Sequence, residues 1–159
     1  MASELLRQLN AKTGNDLYHL SLPKLPHKHT MLIGIDVCHY GPKSIVGFCS
    51  TTNENFSKYY SQTFYQQKGK EIGNEKLEGC FLGALKAYED YNKAKVQHVI
   101  IYRDGVGDGM RAQVNREELR MLLSCLKKHQ PLDDAKVTLM VVNKRINQRF
   151  FEKTDQHLI

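Results

Sequence analysis

Hydrophobic spacing changes several times along this chain, and each change marks an element. Ser3 to Lys12 places Leu5, Leu6 and Leu9 on one side of a short helix that Gly14 would stop. Leu17 to Leu22 alternates enough for a brief strand, and Pro23 to His29 follows as a basic connector with two prolines. Three strand signals come next, over Met31–Val37, Ser44–Ser50 and Ser57–Phe64, joined by the turn residues Gly41-Pro42 and Thr52-Asn53-Glu54-Asn55. Connections this short predict an antiparallel meander. From Glu71 to Tyr91 the period becomes helical, with Leu77, Cys80, Phe81, Ala84, Leu85 and Tyr88 on one face. Val96–Tyr102 is then a fourth strand, and Arg111–Lys128 a second long helix with Leu119, Leu122, Leu123 and Leu126 inward. Lys136–Val142 is a fifth strand, apolar enough to predict cover on both faces.

The order β-β-β-α-β-α-β predicts an α/β fold with a mixed sheet, a three-stranded antiparallel meander followed by parallel strands with crossover helices. A crossover helix returns the chain parallel to an earlier strand, which sets the fourth strand beside the first. Two carboxylates gain meaning from that adjacency. Asp36 lies inside an apolar run, where burying it is costly unless a cation or a nearby Lys or Arg offsets the charge. Asp104 follows the apolar run Val99–Tyr102 and precedes Gly105, Gly107 and Gly109. Asp and Gly suit an ordinary strand-to-helix turn, but the carboxyl ends of strands are also where open α/β sheets bind ligands. Side by side, Asp36 and Asp104 would suit a nuclease working with two metal ions.

Composition narrows the class without choosing within it. With 159 residues, 41% hydrophobic and 25% charged, the chain predicts one soluble globular domain. No apolar run approaches a membrane span and no basic-then-apolar leader is present, so the expectation is an intracellular protein, cytoplasmic or nuclear, with no membrane partner. Cys38, Cys49, Cys80 and Cys125 are far apart and form no CxxC pair, which predicts reduced thiols filling the core. His27 and His29 have no partner ligands nearby in sequence and fit a solvated loop. A formal charge of +6 and a pI near 9.1 favour a polyanionic partner.

Four stretches together carry a likeness to a known family. They are Ile33-Gly34-Ile35-Asp36-Val37-Cys38-His39, Ser44-Ile45-Val46-Gly47-Phe48, Ile101-Tyr102-Arg103-Asp104-Gly105-Val106-Gly107-Asp108-Gly109, and Val141-Val142-Asn143-Lys144-Arg145-Ile146-Asn147-Gln148-Arg149-Phe150-Phe151. In order and spacing the chain resembles the Piwi branch of the Piwi/Argonaute family, over about Leu5 to Phe151. The resemblance implies a ribonuclease H-like fold, C-terminally truncated, with residues 1–30 the end of a MID domain and its connector and residues 31–159 a partial Piwi domain. It implies that Asp36 and Asp104 are catalytic and metal-binding. It gives Glu71 the place of the tetrad's glutamate, with Glu75 as the substitute.

The same resemblance assigns Gln8 and Lys12 to the 5′ phosphate of a guide strand, and Lys144, Arg145 and Arg149 to nucleic-acid backbone. Tyr40 and Met110 depart from the family pattern beside the metal site, and the fourth tetrad member, a His, has no counterpart; His157 is too close to the last matched stretch. The implied function is guide-RNA-dependent nucleic-acid binding and RNA silencing, with the core of an endoribonuclease site using Mg²⁺ or Mn²⁺. Its partners would be a small guide RNA of the piRNA kind, a complementary target RNA, and other chains covering the truncated sheet. A non-catalytic nucleic-acid-binding module is the alternative, and a nuclease or integrase of the same broad fold a third.

Overall fold

The computed structural model describes residues 2–16, 18, 28–67, 74–104, 118–131, 134–142 and 149. Its elements are α1 (Ala2–Lys12), β1 (Thr30–Tyr40), β2 (Lys43–Thr51), β3 (Tyr59–Gln67), α2 (Asn74–Asn92), β4 (His98–Asp104), α3 (Glu118–His129) and β5 (Lys136–Val142). The five strands form one sheet in the order β3-β2-β1-β4-β5. β1 pairs antiparallel with β2 and β2 with β3, whereas β4 pairs parallel with β1 and β5 parallel with β4. This is the expected mixed sheet, with β1 at its centre. The β1–β2 hairpin closes at Tyr40↔Lys43, and Gly41 takes the left-handed conformation (φ 55°) that a two-residue turn demands at its first position.

Every second residue of the strands faces two helices. Met31, Ile33 and Ile35 of β1, Val46 and Phe48 of β2, and Val99 and Ile101 of β4 are buried there. Against them pack Leu77, Phe81, Ala84, Leu85 and Tyr88 of α2, and Leu122, Cys125 and Leu126 of α3. Their helical spacing sends one stripe of each helix into the core. Close fit is visible where Gly83 of α2 meets Tyr60 of β3: a Cβ at Gly83 would lie 2.2 Å from the Tyr60 hydroxyl.

Polar clamps fix the turns to this core. The Asn53 side chain accepts hydrogen bonds from the Ser57 and Lys58 amides at 2.9 and 3.0 Å, shaping the β2–β3 turn. Asn92 donates to the carbonyls of Thr52 and Tyr88, both at 2.8 Å, and so ties the end of α2 to that turn. Gln130, just past α3, donates to the Val96 carbonyl at 2.8 Å, ahead of β4.

Three expectations change with one observation: the described helices cover only one face of the sheet. β5 is not enclosed on both sides, since Met140 and Val142 are exposed on the face away from the helices. Asp36 is exposed rather than buried, because its position in β1 alternates with Ile33 and Ile35 and points to that same open face. Cys80 and Cys125 fill the core, but Cys38 is exposed and Cys49 half-buried for the same reason of parity; all four are free thiols. Burial pushes the Cys125 thiol up to about 11, with a neighbouring Glu78 adding to it. The brief strand over Leu17–Leu22 falls almost wholly outside the described residues.

Candidate functional site

The parallel pairing of β1 with β4 runs from Thr30↔His98 to Ile35↔Arg103. The next residue on each strand is an aspartate, Asp36 on one and Asp104 on the other. Adjacent strands lie about 4.8 Å apart, and residues in equal register share a face. The fold thus sets the two carboxylates at equivalent positions on the open face. β4 ends at Asp104, which pairs with Val142 of β5, whereas β1 continues and pairs Asp36 with Gly47 of β2. Asp36 Oδ1 accepts the Val37 amide at 2.9 Å, which fixes that side chain against its own strand.

Space is left around Asp36 by two glycines. Gly34 precedes it on the same face, and Gly47 lies across from it. Neither has a left-handed backbone; a Cβ at Gly34 would meet nothing within 4 Å, and one at Gly47 only the Asp36 carbonyl at 4.0 Å. Glycine in a strand interior destabilises by about 0.5–1 kcal/mol relative to alanine. Among the described residues nothing in the packing requires it at either position, and the backbone is left open to close approach from that face.

Behind Asp104 the opposite parity holds. Arg103 points into the core, where its Nε donates to Glu118 Oε2 at 3.0 Å and its Nη2 to Glu118 Oε1 at 3.4 Å. Its Nη1 donates to the Asp104 carbonyl at 2.5 Å. Both partners of this pair are buried. The sequence reading missed Glu118, because an acid in the first turn of a helix is common for dipole reasons and does not stand out.

Other anticipated residues are dispersed. Gln8 and Lys12 sit one turn apart on the exposed surface of α1, close enough as neighbours to act on one group. Arg149 is exposed. Glu75 is an exposed residue in the first turn of α2. Glu71, Lys144, Arg145 and His157 lie outside the described residues. Among the described residues no group of three or more His, Cys, Asp and Glu could hold a metal, and neither Asp36 nor Asp104 belongs to one. Two carboxylates fit a hard, oxygen-seeking cation such as Mg²⁺ or Mn²⁺ and do not fit a thiolate-loving one. A cleft of about 510 Å³ lined by His29, Lys95, Gln97 and Asp134 lies toward the amino ends of β1 and β4, remote from the carboxylates.

The model of the Piwi domain family matches residues 1–158. The chain belongs to the Piwi domain family. Piwi-like protein 1 of Danio rerio is 35% identical over 158 residues, covering 98% of this chain and 18% of that protein. Piwi-like protein 3 of Homo sapiens is 35% identical over 156 residues, covering 96% of this chain and 17% of its own length. Among solved structures, the Argonaute of Kluyveromyces polysporus with a guide RNA superposes with a TM-score of 0.79 at 22% identity, over 99% of this chain and 20% of that one. The Piwi-domain sheet is therefore ribonuclease H-like, as the resemblance implied. This Piwi-domain chain spans less than a fifth of the curated relatives it matches. No helix among its described residues is long and apolar enough to cross a membrane.

Proposed function

We propose that this chain contributes the two-aspartate core of a guide-directed ribonuclease site within RNA silencing. The observation that carries the reading is the register of β1 against β4, with Asp36 and Asp104 at equivalent positions on the open face. Asp36 and Asp104 would hold Mg²⁺ or Mn²⁺, which when bound polarises a phosphodiester and lowers the pKa of bound water. The protein's own residues do the positioning. Rigid strands fix both carboxylates, and Gly34 and Gly47 leave the face beside Asp36 bare enough for a sugar-phosphate backbone to come close. Gln8 and Lys12 offer an amide and a cation to a terminal phosphate, a pairing suited to a small guide RNA of the piRNA kind. Lys144, Arg145 and Arg149 would contact backbone without reading sequence. Glu71 would close the metal site.

A second reading, duplex binding without cleavage, is favoured by one observation: no group of three or more His, Cys, Asp and Glu among the described residues could hold a metal ion. One experiment separates the two. The chain is mixed with a 5′-phosphorylated guide RNA annealed to labelled target RNA, with Mg²⁺ or with chelator, beside Asp104→Asn. Magnesium-dependent cleavage lost in the variant supports the nuclease reading. Binding without cleavage supports the binding module, and absence of binding by the intact chain overturns both.

A further inference from the structure

We propose that the buried Arg103–Glu118 pair is the positioning device of Asp104, holding the end of β4 in register so that its carboxylate stays level with Asp36. The inference rests on the reading of Asp104 as a metal ligand.

The geometry is that of a brace as long as the strand it holds. α3 runs back along β4: Glu118, its first residue, meets Arg103 near the carboxyl end, and Gln130, just past its last residue, donates to the Val96 carbonyl ahead of the amino end. Twelve helical residues and the stretch from Val96 to Arg103 each span roughly 20 Å, so the two attachments match without stretch. At the far end a single guanidinium does two tasks. Its Nε and Nη2 engage both Glu118 oxygens, and its Nη1 holds the Asp104 carbonyl itself.

The consequence falls on Asp104. Its backbone is the last of β4: pairing with β5 extends to Asp104↔Val142, whereas pairing with β1, the strand that carries Asp36, stops one residue earlier at Ile35↔Arg103. The carbonyl contact adds to the β5 pairing at the residue where the β1 ladder has ended. Parity then separates the tasks: Arg103 faces the core and Asp104 the open side, so the pair acts on the Asp104 carboxylate through the backbone carbonyl that Arg103 holds. Glu118 also neutralises Arg103. Without it, an uncompensated positive charge would lie directly behind a site for a cation.

The test measures Mn²⁺ affinity of the full chain by titration, together with thermal stability, in wild type, Glu118→Gln, Arg103→Lys, Leu122→Ala and Asp104→Asn. Leu122 is buried one turn along α3 and serves as a destabilised control that leaves the pair intact, its loss of stability compared with theirs by the thermal measurement. Arg103→Lys keeps the charge but loses the planar fork, and is the milder variant should Glu118→Gln fail to fold. The expected result is roughly tenfold weaker Mn²⁺ binding in Glu118→Gln and in Arg103→Lys, as for residues that orient a metal ligand, with Leu122→Ala binding as wild type.

Wild-type affinity in the pair variants, or equal loss in Leu122→Ala, overturns the proposal. Mn²⁺ uptake that Asp104→Asn leaves unchanged overturns the metal reading instead. The brace is then judged by amide exchange over residues 98–104: faster in Glu118→Gln than in Leu122→Ala supports it, and equal rates overturn it.

Discussion

The two faces of one sheet differ in what they ask of the same strands. On the helix-covered face, Met31, Ile33, Ile35, Val46, Phe48, Val99 and Ile101 are almost completely buried and bring the apolar surface that holds the domain together. On the other face Gly34, Asp36, Cys38 and Tyr102 stand open to solvent, while Leu32, Ile45, Gly47 and Cys49 are half-buried and Ile100 is buried. A step of one residue passes from stability to chemistry. Arg103 and Asp104 make the contrast sharpest, since neighbours in sequence serve the core and the candidate site respectively. Stability and activity are thereby separable by parity, which single substitutions can check.

The largest contrast should come from the covered face. Phe81→Ala removes a fully buried ring and is expected to lower unfolding free energy by about 3–5 kcal/mol, while Tyr102→Ala on the open face, which loses only part of a cross-strand contact, lowers it by about 1 kcal/mol. Urea denaturation of both variants measures this, and similar losses would mean that the open face is covered in solution. Gly83→Ala comes next. Its new methyl must displace the Tyr60 ring, for a loss of about 1–3 kcal/mol that shortening Tyr60 in a double-mutant cycle should partly restore.

Gly34→Ala inverts the sign. With open space for the methyl and an ordinary backbone, stability should rise by up to about 1 kcal/mol, and weaker binding of an RNA duplex alongside it would assign the glycine to the ligand. Least effect at neutral pH is expected from Tyr88→Phe, since that buried hydroxyl has no hydrogen-bond partner among the described residues. Burial, with a smaller push from Glu54, raises the Tyr88 phenol to about 12. The unfolded chain therefore ionises first, and stability should fall as pH rises from about 10 to about 12. Tyr88→Phe should flatten that fall in a pH series of melting curves.

Much of this was legible in the residues. Periodicity found all five strands of the sheet, and the crossover rule placed β4 parallel to β1, which made neighbours of Asp36 and Asp104. The stripe Leu77, Phe81, Leu85 and Tyr88 announced the covered side of α2. Sidedness was harder to read. Apolar runs such as Lys136–Val142 look the same whether one face or two are enclosed, because cover is supplied by elements distant in sequence. For that reason Asp36 was expected in a buried setting it does not have. The partnership of Arg103 with Glu118 had no local signature either, since it crosses from a strand to a helix and each residue type is ordinary where it stands. The roles of Asp36, Asp104, Gln8 and Lys12 came from likeness to a family; spacing alone left an ordinary turn open for Asp104.

The placement of β1 in the middle of the sheet also sets a sequence of events in time. β1, β2 and β3 are joined by short turns and can zip as hairpins, whereas β1 meets β4 only after the chain has looped back; the His29 amide bonds the Gln97 side chain 68 residues away. Long-range pairing of this kind is the slow part of folding. Local turns position Asp36 within the β1–β2 hairpin, whereas its place beside Asp104 depends on the long-range pairing of β1 with β4. The candidate site therefore depends on a connection in the sheet that local sequence cannot form.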